Sequence, residues 1–503
     1  MKKYLSIFVL FFWLLIINVY AQGDKIISMD KLKQRIHSFT LKNGMTFVVM
    51  ERKTSPVVSF VTFVKVGSVD EKTGHTGIAH IFEHMAFKGT KDIGTKDYSK
   101  EKVLLEKLDE AYKKYIKCRD LEKEEEKCRV YKEEFEKISH EANSLVKHNE
   151  FSKIIERNGG QDLNAGTSTD YTMYYCSLPA NKLELWFSLE SDRLKNPVFR
   201  EFYTEKEVIR EERRMRVDTS YMGKLVEAFR SIAFSAHPYG HPTIGWDSDI
   251  VHTTISDVKE FYRKYYIPQN ITIAIVGDVD LNEIKRLAEI YFGDMKKGPD
   301  SPYVWTKEPK QTAKKEVLLY ADAQPMYIRG YHVPGYGTKD YLALDLLEGI
   351  LSNGRSSRLY SHLVLEKKLA LSIFAFYGFP GERYSCLFGI YAIPNQGVSL
   401  DELSRAIDDE LNDILKNGVT KQEIERAYTQ EEANLLREME SNLGMARELA
   451  YAQSIYGDYT RLFSDLEKLK SVSSKDIQDV IKKYFVSSNM VEGRLVHNGK
   501  NKK

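Results

Sequence analysis

The sequence predicts an α+β protein made of two similar halves. Each half mixes long helices with short apolar strands, such as residues 271–276 and 387–393, which is typical of this class. Strand-like runs at 47–66 come before the helix that carries residues 80–84, and a run at 325–334 comes before a helix at 340–351. With 503 residues, 42% of them hydrophobic, the chain is long enough for two domains with proper cores.

The net charge of the chain is close to neutral. The formal charge is +2, and 29% of the residues are charged. This balance supports an ordinary solvated surface and gives no attraction to nucleic acid or to anionic membranes. Nucleic acid is therefore not an expected partner.

The most informative segment follows the first strands, where the sequence reads HIFEH at residues 80–84. On a helix, His80 and His84 lie one turn apart on the same face, so two imidazoles can bind one Zn²⁺. Glu83 lies beside His84, where its carboxylate can take a proton from a water at the metal. The alternative is two surface histidines on an amphipathic helix. The surrounding run is otherwise apolar, which favours a buried helix whose polar groups need a metal.

A catalytic zinc usually has three protein ligands. The acidic segment at 205–212 offers the third, because Glu205 and Glu212 lie seven residues apart and share a helix face. Glu212 is the predicted ligand and Glu205 a supporting carboxylate behind it. Taken alone, such a charge run is more often a solvated helix face, and a His₂Glu site also suits ions other than zinc.

At this point the chain resembles the M16 peptidases, the group of pitrilysin, insulin-degrading enzyme and mitochondrial processing peptidase. The motifs that carry the resemblance are HIFEHMAFKGT at 80–90, Gly159-Gly160, Asn164-Ala165, residues 167–172, Asp192-Arg193, residues 205–212 and HPYGHPTIGW at 237–246. The resemblance covers nearly the whole mature chain.

The resemblance implies a role for each site residue. His80, His84 and Glu212 would bind one Zn²⁺ per chain, Glu83 would be the general base and Glu205 the supporting carboxylate. Asn164 and Ala165 would lie on an edge strand that pairs with an extended peptide. It also implies that the two halves pack as a clamshell around a chamber.

A charged insertion separates this chain from the family. Glu212 lies some fifty residues further from the HxxEH motif than the family places its third ligand, and residues 98–150 account for the excess. This segment predicts a helical hairpin, with helices near 99–117 and 121–145. It is either a solvated hairpin without catalytic importance or a docking arm or lid. Cys118 and Cys128 flank its turn, where a disulfide is plausible in an exported protein.

The C-terminal half lacks two expected residues. Catalytic family members place an Arg and a Tyr there, seven residues apart, and Val364 and Leu371 occupy the aligned positions. Either a partner M16-like subunit supplies the pair, or the chain works as a homodimer without it, or the alignment is displaced by one turn. In the repeat, Asp345 stands opposite His80 and Glu348 opposite Glu83, so only one zinc site per chain is expected.

The predicted organisation has four parts. Residues 1–21 form a signal peptide, 22–298 the catalytic half, 299–314 a Pro-containing linker and 315–503 the second half. A periplasmic or secreted protein with no stable membrane span after cleavage is therefore expected, the alternative being an uncleaved N-terminal anchor.

The predicted function is a zinc-dependent endopeptidase that cleaves short or unfolded peptides. One alternative is a non-catalytic or zinc-binding scaffold subunit of an M16-like heterodimer, and another is a metal-binding or adhesion module of the cell surface. His237 and His241 are four residues apart, but Pro238 between them disfavours a helical ligand pair, so both are predicted to be structural.

Overall fold

A computed structural model of the chain describes residues 32–498. The described residues from Ser38 onward belong to one compact unit, and both sheets lie essentially within it. The predicted signal peptide lies outside the described residues. Within residues 32–498, no helix is both long and apolar enough to cross a membrane.

Two mixed sheets form the framework. The first has the strand order β1-β2-β6-β3-β5-β4 and the second the order β7-β11-β8-β10-β9. The strands are β1 Ile36–Thr40, β2 Thr46–Glu51, β3 Val57–Val64, β4 Gln161–Thr167, β5 Thr172–Pro179, β6 Ile271–Gly277, β7 Lys315–Ala321, β8 Met326–Val333, β9 Ala370–Phe379, β10 Cys386–Pro394 and β11 Met490–His497.

Helices pack on both sheets. In the first half they are α1 Ile78–Met85, α2 Tyr98–Lys117, α3 Glu125–Asn143, α4 Glu150–Arg157, α5 Leu183–Lys195, α6 Phe202–Arg213, α7 Tyr221–Ala233, α8 Asp247–His252, α9 Ile255–Tyr265 and α10 Leu281–Phe292. In the second half they are α11 Tyr341–Ser352, α12 Leu400–Asn417, α13 Lys421–Glu438, α14 Asn442–Ile455, α15 Arg461–Leu469 and α16 Ser474–Tyr484.

The two halves repeat one topology, which confirms the predicted α+β class and its two-half arrangement. In each sheet the last strand of the half, β6 or β11, lies inside the sheet, where it pairs parallel with one neighbour and antiparallel with the other. The strands β4 and β9 lie at the corresponding edges. Helix α1 follows β3 in the first half, as α11 follows β8 in the second. The edge strand β9 of the second sheet therefore corresponds to β4 of the first.

The halves exchange helices. Helix α7 of the first half packs on β7 and β11 of the second sheet, whereas α14 of the second half packs on β3 and β6 of the first. Glycines allow the close approach of α7, since a Cβ at Gly330 would lie 2.9 Å from the Phe229 ring and one at Gly493 would lie 3.1 Å from Leu225. Part of the core against each sheet is therefore contributed by a helix of the other half.

The insertion forms the predicted hairpin, and the structure joins Cys118 to Cys128 at its turn. It is more than a solvated arm, because α2 buries an apolar face and the carboxylate of Glu101. Arg200, just before α6, donates to both oxygens of that carboxylate, at 2.8 and 3.0 Å, and both side chains are almost fully buried. Helix α2 therefore braces the start of α6.

Candidate active site

A buried carboxylate caps the helix that carries the HxxEH motif. Glu71 accepts hydrogen bonds from the backbone N–H groups of Gly77, at 2.8 Å, and Ala79, at 2.9 Å, which places negative charge at the N-terminus of α1. Gly77 has a φ of +87°, and a Cβ there would lie 2.6 Å from the Ile244 carbonyl oxygen. Only glycine fits this position, so the start of α1 is fixed.

Three side chains converge from two helices. His80 and His84 project from α1, and Glu212 projects from α6. The His80 Nε2 lies 3.7 Å from one oxygen of Glu212, and the His84 Nε2 lies 3.6 Å from the other. Among the described residues, this trio alone brings three possible metal ligands within 4.8 Å of one another. The predicted third ligand thus reaches the HxxEH pair across more than a hundred residues of sequence.

The donor set fits a zinc ion. Ligands at about 2.0–2.1 Å from a tetrahedral Zn²⁺ lie about 3.4 Å apart, close to the separations of Glu212 from the two imidazoles. These separations exceed an ordinary hydrogen-bond distance. The Glu212 carboxylate therefore faces both imidazoles without a hydrogen bond to either. His80 is only 7% exposed, and its Nδ1 has no hydrogen-bond partner among the described residues. Two nitrogens and one carboxylate form the donor set of several catalytic zinc sites.

Glu205 lies behind His84. One of its oxygens is 3.3 Å from the His84 Nδ1, and the other pairs with the Lys88 ammonium. Lys88 also lies 3.3 Å from Glu201. Burial would raise the pKa of Glu205, but the hydrogen bonds from His84 and Lys88 hold it below its usual value. The carboxylate therefore stays charged and orients the imidazole.

Glu83 faces the same space and is held by one hydroxyl. The Thr167 Oγ1 donates to the Glu83 Oε2 at 2.6 Å. Burial raises the pKa of Glu83 above its usual value, although this hydrogen bond opposes the shift. A carboxylate with a raised pKa is a stronger base than an exposed one, which suits proton transfer.

A cavity of about 570 Å³ joins these groups to the edge strand β4. Its lining includes His80, Glu83, His84, Glu205, Glu212, Arg216 and the β4 residues Asn164, Ala165, Gly166 and Thr167. On one side, β4 pairs with β5; its other edge belongs to no sheet within the described chain. Asn164 and Ala165 therefore lie on a free strand edge beside the candidate metal ligands.

Several site residues were not assigned roles by sequence reasoning. Thr167 belonged to a quoted motif, yet nothing in its separation from Glu83 indicates a contact. Glu71 and Lys88 are single acidic and basic residues without a periodic pattern. Arg216 forms an ion pair with Glu212 at 2.8 Å, and its spacing of four residues from Glu212 on one helical run was the available signal.

The described part of the second half has no counterpart of the trio. Asp345 and Glu348 lie on α11, in the position that α1 occupies in the first half. Val364 lies in a helical segment, Leu359–Glu366, and Leu371 is 59% exposed on β9. The expectation that these two replace a substrate-binding pair stays a prediction. His237 is buried in a turn, where its Nδ1 accepts from the Tyr239 N–H, in keeping with a structural role.

Comparison with known proteins places the chain in a family. Residues 47–110 and 135–247 match "Insulinase (Peptidase family M16)", and residues 252–431 match "Peptidase M16 inactive domain". The zinc protease PqqE of Helicobacter pylori is 30% identical over 463 residues, which is 89% of this chain and 90% of that protein. An uncharacterized zinc protease of Bacillus subtilis is 23% identical over 90% of this chain and 96% of its own length.

Two solved structures have a similar fold. A protease from Helicobacter pylori superposes with a TM-score of 0.76 at 28% identity, over 92% of this chain and 99% of that one. The peptidase M16 inactive domain from Pseudomonas fluorescens has a TM-score of 0.73 at 16% identity, over 93% and 99% of the two chains, and shows the shared fold. This chain therefore belongs to the M16 peptidase family, whose relatives here are named zinc proteases.

Proposed function

We propose that this chain is a zinc-dependent endopeptidase that cleaves short or unfolded peptides. The observation that carries the proposal is the convergence of His80, His84 and Glu212 beside Glu83 in one cavity bordered by a free strand edge. His80, His84 and Glu212 would hold one Zn²⁺. When bound, the ion would lower the pKa of a water and polarise the scissile carbonyl.

Glu83 is the proposed general base and acid. Its carboxylate removes a proton from the attacking water and then passes it to the leaving amine. Thr167 keeps one Glu83 oxygen engaged, so the other is left to face the water. Glu205 and Lys88 hold His84 in the orientation that presents its Nε2 to the cavity.

The edge of β4 is the proposed substrate platform. An extended peptide that adds to this edge through backbone hydrogen bonds would run past Glu83 with little dependence on its side chains. Such pairing also selects against folded proteins, which do not offer a free extended strand. This geometry supports short or unfolded peptides as the substrate class.

A partner subunit is the remaining part of the proposal. The C-terminal segment matches an inactive domain, and neither Val364 nor Leu371 can bind a substrate carbonyl through a charged or hydroxyl group. We infer that an M16-like partner or a second copy of this chain completes the substrate site. Export to an oxidising compartment is also proposed, and the Cys118–Cys128 disulfide supports it.

The test is hydrolysis of a quenched-fluorescence peptide library by the purified chain, with zinc and then with a chelator. We expect chelator-sensitive cleavage that falls at least a hundredfold in Glu83→Gln, while Glu83→Gln still binds one zinc. Near-normal cleavage by Glu83→Gln would contradict the mechanism. Zinc binding without cleavage by the wild-type chain would instead favour a zinc-binding subunit that depends on a partner, and adding that partner should restore cleavage.

A further inference from the structure

The second half contains a separate cavity among its helices. It has a volume of about 290 Å³ and lies between α11, α13, α14 and α15. It shares no lining residue with the candidate active site. Its size is near the lower end of ligand pockets, so it suits a small ligand or a single side chain.

Carboxyl groups dominate the polar part of the walls of this cavity. Six carboxylates line it: Asp345, Glu382, Glu431, Glu438, Glu448 and Asp465. The lining contains one basic residue, Arg461, which is already engaged because its guanidinium donates to the Tyr336 hydroxyl at 3.0 Å. The cavity therefore holds many more carboxyl groups than basic groups for its volume.

Four of these carboxylates, Asp345, Glu431, Glu438 and Glu448, have no partner among the described residues. Neither Asp345 on α11 nor Glu431 on α13 takes part in a hydrogen bond or an ion pair with any described residue. Both are partly enclosed, and both line the cavity. Burial, followed by repulsion from Glu431 and Glu348, raises the pKa of Asp345 well above its usual value.

Elsewhere the chain pairs several of its buried carboxylates with cations. Glu101 binds Arg200, and Glu492 binds Lys314 and Arg329. Unpaired buried charge is costly, and such pairing is how this fold avoids the cost. In the cavity no described cation pairs with the Asp345 or Glu431 carboxylate, which leaves the place of the cation to a ligand.

The shape of the site argues for an organic cation over a metal ion. Among residues 32–498, only the trio at the candidate active site brings three acidic or imidazole ligand atoms within 4.8 Å, so the cavity carboxylates are too dispersed to coordinate one ion. The walls also include the rings of Tyr341, Tyr377 and Tyr456. Aromatic faces attract guanidinium and ammonium groups, whereas small metal ions prefer closely spaced oxygens.

We propose that this cavity binds a guanidinium or primary ammonium group, carried either by an Arg or Lys side chain of a peptide or by a free small amine. The Asp345 and Glu431 carboxylates pair with the cationic head, and the tyrosine rings pack along its stem. This site is independent of the proposed peptidase chemistry, because it lies in the other half of the chain and needs no metal.

The test is calorimetric titration of the full chain, with chelator present so that no peptide is cleaved. The probes are agmatine, a blocked Ala-Ala-Arg-Ala-Ala peptide and the same peptide with citrulline, which is similar in shape but neutral. We expect the arginine peptide or agmatine to bind and the citrulline peptide to bind at least tenfold more weakly. Binding of the peptide alone identifies a side-chain source, and binding of agmatine as well identifies a site for free amines.

Variants of the cavity carboxylates test whether the probes bind in this cavity. Asp345→Asn combined with Glu431→Gln should weaken the arginine probes at least tenfold, whereas Asp479→Asn, at an exposed carboxylate paired with Lys475, should leave them unchanged. Both cavity changes remove repelling charges, so the double variant should melt no lower than the wild type. Equal binding of citrulline and arginine peptides, unchanged binding in the double variant, or no binding of any probe would overturn the proposal.

Discussion

The Thr167 hydroxyl donates a 2.6 Å hydrogen bond to the carboxylate of Glu83. This contact joins the last residue of the edge strand β4 to the HxxEH helix α1. The strand proposed to hold the peptide and the residue proposed to move the proton are therefore held in register by one side chain. A shift of the strand would therefore move the Glu83 carboxylate, the proposed general base.

Replacing Thr167 by Val should lower kcat/KM about tenfold while zinc affinity stays unchanged. The change keeps the shape of the side chain but removes the donor, and a tenfold loss corresponds to about 1.4 kcal/mol. Steady-state hydrolysis of a fluorogenic peptide and a zinc titration measure the two quantities. Thr167→Ser, which keeps the hydroxyl, should retain most activity. Equal loss of activity in the Ser and Val variants would show that the hydrogen bond is not the cause.

Glu205→Gln should weaken zinc binding about 10- to 100-fold. The neutral amide no longer stabilises the orientation and basicity of His84, although it occupies the same space. Competition with a chromophoric chelator measures the affinity. Glu207→Gln on the same helix is the matched control, since its side chain is 67% exposed and pairs with Arg210. The role of Glu205 would be rejected if both variants bound zinc equally well.

Glu101→Gln should lower the free energy of unfolding by about 3–5 kcal/mol, the usual cost of leaving one member of a buried ion pair alone. Arg200 would keep its hydrogen bonds to the carbonyls of Lys88, Thr90 and Ile93 but lose its counter-charge. Denaturant unfolding measures the effect. Glu106→Gln, at an exposed position on the same helix, should change stability little. A similar cost for both would contradict the bracing role of the pair.

Lys206 predicts a pH dependence of stability. It is 1% exposed and donates to the Tyr112 hydroxyl and the carbonyls of Val251 and Thr253. Burial lowers its pKa to about 7, whereas an unfolded lysine titrates near 10.4. Between these values the unfolded chain binds more protons, so this group makes stability rise with pH, by at most about 1.4 kcal/mol per unit.

In Lys206→Met this contribution to the slope should disappear, even though the variant is less stable because two carbonyls lose a donor. Urea unfolding at several values between pH 7 and pH 10 measures the slope. Lys475→Met, at a side chain that is 79% exposed, provides the control. An unchanged slope in Lys206→Met would mean that the buried amine keeps its proton in the folded chain.

The Cys118–Cys128 disulfide should stabilise the chain by about 2–3 kcal/mol, as expected for a loop of ten residues. The double change to Ser should therefore lower the unfolding midpoint. Neither cysteine lines the cavity of the candidate active site, so peptide hydrolysis below the transition should be unaffected. Loss of hydrolysis in a folded double variant would give the insertion a direct role at the site.

The three candidate metal ligands could be proposed from the sequence because their geometry is local or chemically forced. His80 and His84 need only helical spacing, and the need for a third ligand leads to Glu212. Thr167 and Glu71 could not be predicted in the same way. Their contacts with Glu83 and the start of α1 depend on how the chain folds back, which no periodicity in the sequence encodes.

The fold, too, could be predicted from the sequence only in its local elements. Strands, helices and the hairpin at 98–150 follow from hydrophobic and charge patterns. The charge density of that segment suggested a solvated arm, but Glu101 is buried against Arg200, a pairing across 99 residues. The exchange of α7 and α14 between the halves was not predicted either, since a repeat in sequence implies two independent units and does not show which sheet a connecting helix will cover.

That exchange has a consequence for biosynthesis. The nascent chain completes β3 and β6 well before α14 leaves the ribosome, yet α14 covers part of their sheet. An apolar face of the first half therefore stays exposed during part of translation. Exposed apolar surface of this kind promotes chaperone binding or aggregation. Residues 22–298 expressed alone would keep that face permanently exposed, whereas co-expression with residues 299–503 would supply the missing helix from a second polypeptide.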